Sequence, residues 1–206
     1  MASETRPRKQ LILEVAERHF AEHGFAGGSL SAIARECELG NPGLLHHFPS
    51  KERLYRAVLE LQAGELTARM QALLSGRDDL VQRLQGFVAL QLDWMLSRPS
   101  GAKLIARELL DNGERIAAAQ ARPLEVFLNA ALALITEAQQ AGLLRRDVHA
   151  LSLLTMVLGS LSYAQMARPT LHKAFGNAAL SEEAPWMQAV AADVLRLLGP
   201  GPASSA

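Results

Sequence analysis

The 206-residue sequence is poor in cysteine and in aromatic residues, and it carries no net charge. Its single cysteine, Cys37, excludes an intrachain disulfide, and we expect it to be a small buried residue of a protein in the reducing cytoplasm. Twenty-one basic and twenty-one acidic residues exclude a global positive field, although a local patch would suffice to bind an anion. No apolar run of signal-peptide length precedes the first amphipathic segment. We therefore expect a cytoplasmic protein.

Apolar residues recur at helical spacing along almost the whole chain, and no stretch alternates as a strand does. This pattern predicts an all-α fold of about nine or ten helices. Glycine, proline and short polar runs predict the breaks: Gly24, 75–78 and 98–101 end or separate helices, Pro123 kinks one, and Pro169 ends another.

One segment, residues 150–167, contains no charged side chain and admits two interpretations. It is at the short end for a membrane span and contains serine, threonine and glutamine. A helix buried on most of its circumference therefore explains it better than a membrane segment.

The first fifty residues predict three short helices, the last two joined by a tight turn. Ser29 is placed to cap the second helix, and the third begins near Asn41 with Pro42 in its first turn, where a missing N–H costs nothing. We expect three leucines to hold this third helix against the core: Leu39, Leu44 and Leu45. A helix-turn-helix with a small or polar leading face can approach base edges in the major groove. The same geometry also occurs in purely structural bundles.

Residues 9–55 resemble the N-terminal domain of the Tet repressor family of bacterial transcriptional regulators. The resemblance rests on three motifs in order, ILEVAERHFAEHGF, SLSAIARECEL and LLHHFPSKERLY, and covers about a quarter of the chain. It implies a helix-turn-helix DNA-binding domain over 1–55 and an α-helical effector-binding and dimerisation domain over 56–200. The composition of 201–206 predicts a disordered tail.

Position by position, the resemblance implies a set of DNA-contacting residues: Ser29, Ser31, Asn41, Pro42, Gly43, His46, His47 and Lys51. Arg6, Arg8 and Lys9 could add nonspecific contacts from an N-terminal arm. The chain departs from the family at Leu45, where a tyrosine hydroxyl usually contacts a phosphate. It also has proline at position 42, where glycine is often found.

The C-terminal half is expected to bind a small, hydrophobic effector and a second copy of the chain. The candidate effector residues are Trp94, Met95, Leu104, Glu108, Asn112, Phe127, Met156, Tyr163 and Met166. Each of these is also compatible with a place in an ordinary core. The candidate dimer residues are Leu154, Leu158, Gly159, Leu161, Ser162, Trp186, Val190, Val194 and Leu197. A two-fold protein would also explain the reading of a palindromic operator.

No catalytic or metal-binding constellation emerges from the sequence. His19 and His23 have a ligand spacing without a third ligand, and the adjacent His46 and His47 point about 100° apart on a helix. We therefore expect no enzyme, no metal and no cofactor. The function we expect is a dimeric repressor released from a palindromic DNA operator by an effector. The alternative is a helical small-molecule-binding or protein-interaction module that does not bind DNA specifically.

Overall fold

The computed structural model describes residues 5–111 and 124–199, and these ranges contain helices and connecting turns without a strand. The predicted all-α class is confirmed. The α-helices are α1 Thr5–Gly27, α2 Leu30–Glu36, α3 Asn41–His47, α4 Lys51–Ser75, α5 Leu80–Ser97, α6 Pro99–Asp111, α7 Glu125–Gln140, α8 Ala150–Phe175 and α9 Glu183–Leu198, with a 3-10 helix at Ala178–Leu180 between the last two.

Glycine and proline break the helices at some of the predicted places. At Gly24 the backbone leaves helical geometry (φ 69°, ψ −179°), and α1 then resumes and ends at Gly27. Pro99 starts α6, so the prediction of a plain turn at 98–101 was wrong, because the first helical turn tolerates a missing N–H. Pro123 and residues 201–206 lie outside the described residues.

Pro169 was predicted to end α8, and this was wrong. The helix continues to Phe175, because one missing N–H removes one hydrogen bond, whereas packing against neighbouring helices holds the other turns. The end of α8 is set by Gly176, whose left-handed φ of 60° lets its N–H bond the His172 carbonyl at 2.9 Å.

The described residues divide into two compact units, and the chain first passes from one to the other within α4. The first unit comprises residues 5–65 and 98–111. In it α6 packs on α1, where Arg107 Nη2 donates to the Glu22 carbonyl at 3.1 Å, and Tyr55 donates to Glu108 at 2.6 Å. Its core includes Ile12, Phe20, Ile33, Leu44, Leu54 and Leu104, each fully buried.

The second unit comprises residues 66–97 and 124–199. Helices α5, α7, α8 and α9 pack around a core that includes Phe87, Trp94, Phe127, Leu134, Leu161 and Met187. An Arg83–Glu137 ion pair of 3.0 Å joins α5 to α7, and Gln165 on α8 donates to the Met95 carbonyl at 3.1 Å.

Helix α8 is less buried than predicted. It is long and apolar enough to pass a length-and-composition test for a membrane span, with only 28% of its most apolar window buried inside the chain. The prediction that it is covered on most of its circumference was therefore wrong for a single copy. Its neighbours cover one side, and the opposite side is open.

Candidate nucleic-acid interface

Helix α2 begins where the sequence predicts, at a serine cap. The Ser29 hydroxyl accepts the Ala32 N–H at 3.3 Å, which satisfies a donor of the first helical turn. Ile33 and Ala34 are buried, and Cys37 at the end of the helix is fully buried as predicted. Desolvation, followed by the nearby Glu36 carboxylate, raises the pKa of the Cys37 thiol, so it is an unreactive core residue.

The turn between α2 and α3 is tight. The Leu39 N–H bonds the Ala34 carbonyl at 2.8 Å, and Glu38 adopts a positive φ of 54°, which is uncommon for a residue other than glycine. Gly40 then precedes α3, with Pro42 in the first turn as predicted. The result is a helix-turn-helix whose second helix is seven residues long.

Helix α3 turns one side toward the core and the other toward solvent. Leu44 is fully buried, and the next residue, Leu45, is 40% exposed. The prediction that Leu45 packs inward was wrong, because neighbouring residues on a helix point about 100° apart. Asn41, Pro42 and His46 are exposed on the same side as Leu45.

Other residues of the predicted DNA set are placed less uniformly. Asn41 Nδ2 donates to the Ser31 hydroxyl at 3.2 Å, which brings two predicted contacts together across α2 and α3. Gly43 is half-buried, and a Cβ there would meet Leu39 at 3.4 Å, so it faces the preceding turn. His47 is also half-buried, with its ring centroid 5.7 Å from that of His46.

Lys51 at the start of α4 is already engaged inside the unit. Its Nζ donates to the Ala26 carbonyl at 2.9 Å and lies 4.9 Å from the Phe25 ring centroid. The Ser50 hydroxyl accepts the Arg53 N–H at 3.2 Å and caps the helix. Hydrogen bonds from its own backbone N–H and from Ser50 lower the pKa of the neighbouring Glu52 carboxyl.

The basic residues predicted for an N-terminal arm belong instead to α1. Arg8 donates to the Cys37 carbonyl at 3.2 Å, and Lys9 Nζ lies 5.5 Å from the Phe48 ring centroid. Further along α1, Arg18 and His19 contact the Glu36 carboxylate at 2.6 and 2.8 Å. These two hydrogen bonds, the one from Arg18 first, lower the pKa of Glu36. They fasten α2 to α1.

Sequence reasoning missed a buried polar pair beneath this surface. The Glu17 side chain on α1 accepts a 2.8 Å hydrogen bond from Gln62 on α4, and the two residues are 7% and 0% exposed. Desolvation raises the pKa of the Glu17 carboxyl, although Arg98 opposes this. Gln62 follows Glu17 by 45 positions, so no local pattern connects them.

The predicted effector residues are not brought into one cavity within either unit. Leu104 and Glu108 belong to the first unit, whereas Trp94, Met95 and Phe127 are buried in the core of the second. Three further members lie exposed on α8: Met156, Tyr163 and Met166. Asn112 lies outside the described residues. A cavity of about 150 Å³ in the second unit is lined by other residues: Val81, Leu84, Gln85, Leu143, Leu144 and Leu195.

The predicted dimer residues divide between the core of the second unit and its surface. Leu154, Leu161 and Val194 are buried within it. Gly159 and Leu197 are exposed, and four others are half-buried: Leu158, Ser162, Trp186 and Val190. On α8, Gly159 lies on the same side as the exposed Met156, Tyr163 and Met166, which together we call the open face of α8.

The part of the chain that the structure describes contains no cluster of potential metal ligands. No three histidine, cysteine or acidic side chains come together there in a geometry that suits a metal ion. The ring centroids of His19 and His23 lie 6.2 Å apart, and His19 is bonded to Glu36.

Two family models match the chain. The model of bacterial regulatory proteins of the tetR family matches residues 12–58. The model described as tetracyclin repressor-like, C-terminal domain, matches residues 83–196, more than half of the sequence.

Individual proteins give the same picture. The regulator UidR of Escherichia coli strain K12 is 34% identical over 76 residues, 37% of this chain and 39% of UidR. RutR of the same strain is 31% identical over 105 residues, 50% of this chain and 48% of RutR. The chain thus spans about half or less of the length of these curated relatives.

Among solved structures, AibR in complex with isovaleryl coenzyme A and operator DNA superposes with a TM-score of 0.67 at 20% identity. The match covers 95% of this chain and 100% of the AibR chain. At 20% identity it shows a similarity of fold alone. The matched models and curated relatives are transcriptional regulators, not enzymes.

Proposed function

This chain belongs to the Tet repressor family of bacterial regulatory proteins, as its sequence predicts, and we propose that it is a DNA-binding transcriptional regulator. It acts in the cytoplasm as a dimeric repressor that a small molecule releases from a palindromic operator. The observation that carries this proposal is the arrangement of α3. Its packing is provided by the buried Leu44, which leaves Asn41, Pro42 and His46 exposed together on the side that a major groove would meet.

Asn41 is the residue that we assign to base reading. An asparagine amide can pair bidentately with an adenine edge, and the 3.2 Å hydrogen bond from Nδ2 to Ser31 fixes its orientation in advance. Lys51 and His46 would face phosphates. Because Lys51 already donates to Ala26, it would contribute one of its two remaining N–H donors to the DNA backbone.

The test begins with selection of genomic fragments by the purified protein and measurement of affinity against salt. We expect one enriched palindromic site and a steep loss of affinity with salt. Asn41→Ala should reduce discrimination among operator variants by about 1–3 kcal/mol. Lys51→Ala should weaken binding to all sequences alike and lower the salt slope by about one per lysine lost.

Thermal unfolding of both variants would check that the first unit remains folded, since Lys51 also bonds within it. If no fragment is enriched above background, the chain is the helical binding module that does not read DNA. If Asn41→Ala and Lys51→Ala change sequence preference equally, the separation between base reading and phosphate contact is wrong.

A second copy of the chain would cover the open face of α8. An apolar surface surrounds Gly159 on this face. It consists of Met156, Tyr163 and Met166, which are 50%, 65% and 46% exposed. Such a surface, on a helix whose most apolar window is only 28% buried within the chain, favours association. A two-fold axis would present the two α3 helices to successive major grooves about one helical turn apart.

We assign the effector contact to α5. Gln91 Oε1 and Trp94 Nε1 are buried and have no hydrogen-bond partner among the described residues, and each belongs to a residue less than 10% exposed. A largely apolar small molecule that reaches α5 would satisfy the indole N–H with an acceptor, or the amide oxygen with a donor.

Such a molecule can be identified by a screen of apolar acids and their thioesters, in which release of the protein from its operator is measured. The thioesters are included because AibR was solved with isovaleryl coenzyme A. Trp94→Phe keeps an aromatic side chain but removes the indole N–H together with the five-membered ring, so it should weaken binding of the identified effector by about 1–3 kcal/mol. Equal affinity in the variant would exclude Trp94 from the contact.

A further inference from the structure

The exposed side of α3 is more apolar than contact with phosphates requires. Around the helix, Leu45 and Pro42 lie next to each other, with Asn41 on one side and His46 on the other. Leu45 is 40% exposed although the adjacent Leu44 is fully buried. The packing of α3 therefore leaves a substantial part of the Leu45 side chain available to whatever α3 meets.

In the major groove, one chemical group suits such a side chain. Base edges there present hydrogen-bond donors and acceptors, except for the C5-methyl group of thymine. A leucine has no donor or acceptor for a phosphate or a base edge, but it can remove a methyl group from water by contact. Its neighbour Asn41, already oriented by Ser31, would supply the polar contact beside it.

We propose that Leu45 reads a thymine methyl group in each half-site of the operator. The inference rests on the proposed DNA-binding function and makes it more specific: the operator carries a thymine at one symmetric position where the methyl group, not the pairing edge, determines affinity. The family usually has a tyrosine at position 45, which contacts a phosphate. Leucine at this position would replace that phosphate contact with a base contact.

Deoxyuridine differs from thymidine only by this methyl group, so it isolates the contact. Each symmetric pair of thymines in the selected operator is replaced in turn by uracil, and the affinity is measured for the wild type, Leu45→Ala and Pro42→Ala. For the wild type we expect one symmetric pair at which uracil weakens binding about fourfold per half-site, or about fifteenfold for the pair, from the transfer free energy of one methyl group.

Leu45→Ala should still bind the operator and should respond to uracil at that pair less than twofold. Pro42→Ala is the comparison variant. Pro42 is itself a predicted DNA contact on the same side of α3, so the overall affinity can fall, but the uracil effect at that pair should stay intact. Circular dichroism would verify that both variants fold, as expected for exposed positions.

The possible failures are distinguishable. If the wild type binds no DNA fragment specifically, the proposed function fails and this inference fails with it. If the wild type binds its operator but no thymine pair responds to uracil, or if Leu45→Ala responds as the wild type does, Leu45 does not read a methyl group and the regulator stands. Loss of the uracil effect in Pro42→Ala alone would transfer the contact to Pro42 and overturn the assignment.

Discussion

Replacing Gly159 by alanine tests whether a second copy covers the open face of α8. A Cβ at Gly159 would meet no atom within 4 Å in the single chain, and the same holds for Gly64 in α4. Alanine is a better residue than glycine in a helix interior by about 0.5–1 kcal/mol. In the absence of a partner, both variants should therefore be stabilised equally, by about 1–4 °C in Tm for a chain of this size.

A partner at this face changes the expectation for Gly159 alone. In a close-packed interface the added methyl group has no space, and overpacking costs about 1–3 kcal/mol. We expect Gly159→Ala to raise the dimer Kd about 5- to 150-fold, converted from that free energy. Gly64→Ala should leave the dimer Kd unchanged and raise Tm, which makes it the matched control.

Sedimentation equilibrium over a range of concentrations measures the dimer Kd, and thermal unfolding measures Tm on the same samples. An unchanged dimer Kd in Gly159→Ala would show that the subunits associate through another surface. A wild type that remains monomeric at tens of micromolar would refute the dimer itself.

Two further predictions concern the first unit. Because burial raises the pKa of Glu17, the folded state holds this proton at a higher pH than the unfolded chain does, and the free energy of unfolding falls as the pH rises through the folded pKa. Glu17→Gln should remove this loss, so its stability relative to the wild type, from urea unfolding at several pH values, should increase from pH 4 to pH 8; a constant difference would contradict the assignment. Gly28→Ala would place a Cβ 2.5 Å from the ring of the fully buried Phe20 and should destabilise the protein by about 1–3 kcal/mol in the same assay, whereas an unchanged midpoint would mean that the ring has room to move.

Features that depend on neighbouring residues could be predicted from the sequence. The serine caps of α2 and α4 follow from a side chain that bonds a backbone N–H three residues later. The place of Pro42 in the first turn of α3 follows from its missing N–H. Family membership could be predicted for the same reason, because the three motifs that carry it are short and contiguous.

Features that depend on contacts between distant residues could not be predicted from the sequence. Leu44 and Leu45 are chemically identical, and a seven-residue helix is too short for periodicity to decide which one faces inward. Apolar residues occur on every side of α8, so the sequence cannot separate the core-facing Leu154 and Leu161 from the exposed Met156 and Tyr163. The Glu17–Gln62 pair joins residues 45 positions apart. The domain boundary near residue 55 and the roles of the DNA-contacting residues stay predictions.

The return of α6 to the first unit has a consequence for how relatives can be recombined. The chain leaves this unit after residue 65, comes back at residue 98 and leaves it again. A fragment that stops at residue 65 would lack Leu104, a fully buried side chain, and the Arg107 and Glu108 bonds that hold α6 in place. The first unit is therefore not a separable N-terminal domain. A chimera that gives this chain a new operator specificity should exchange the surface residues of α3, or carry the matching α6 with the N-terminal segment.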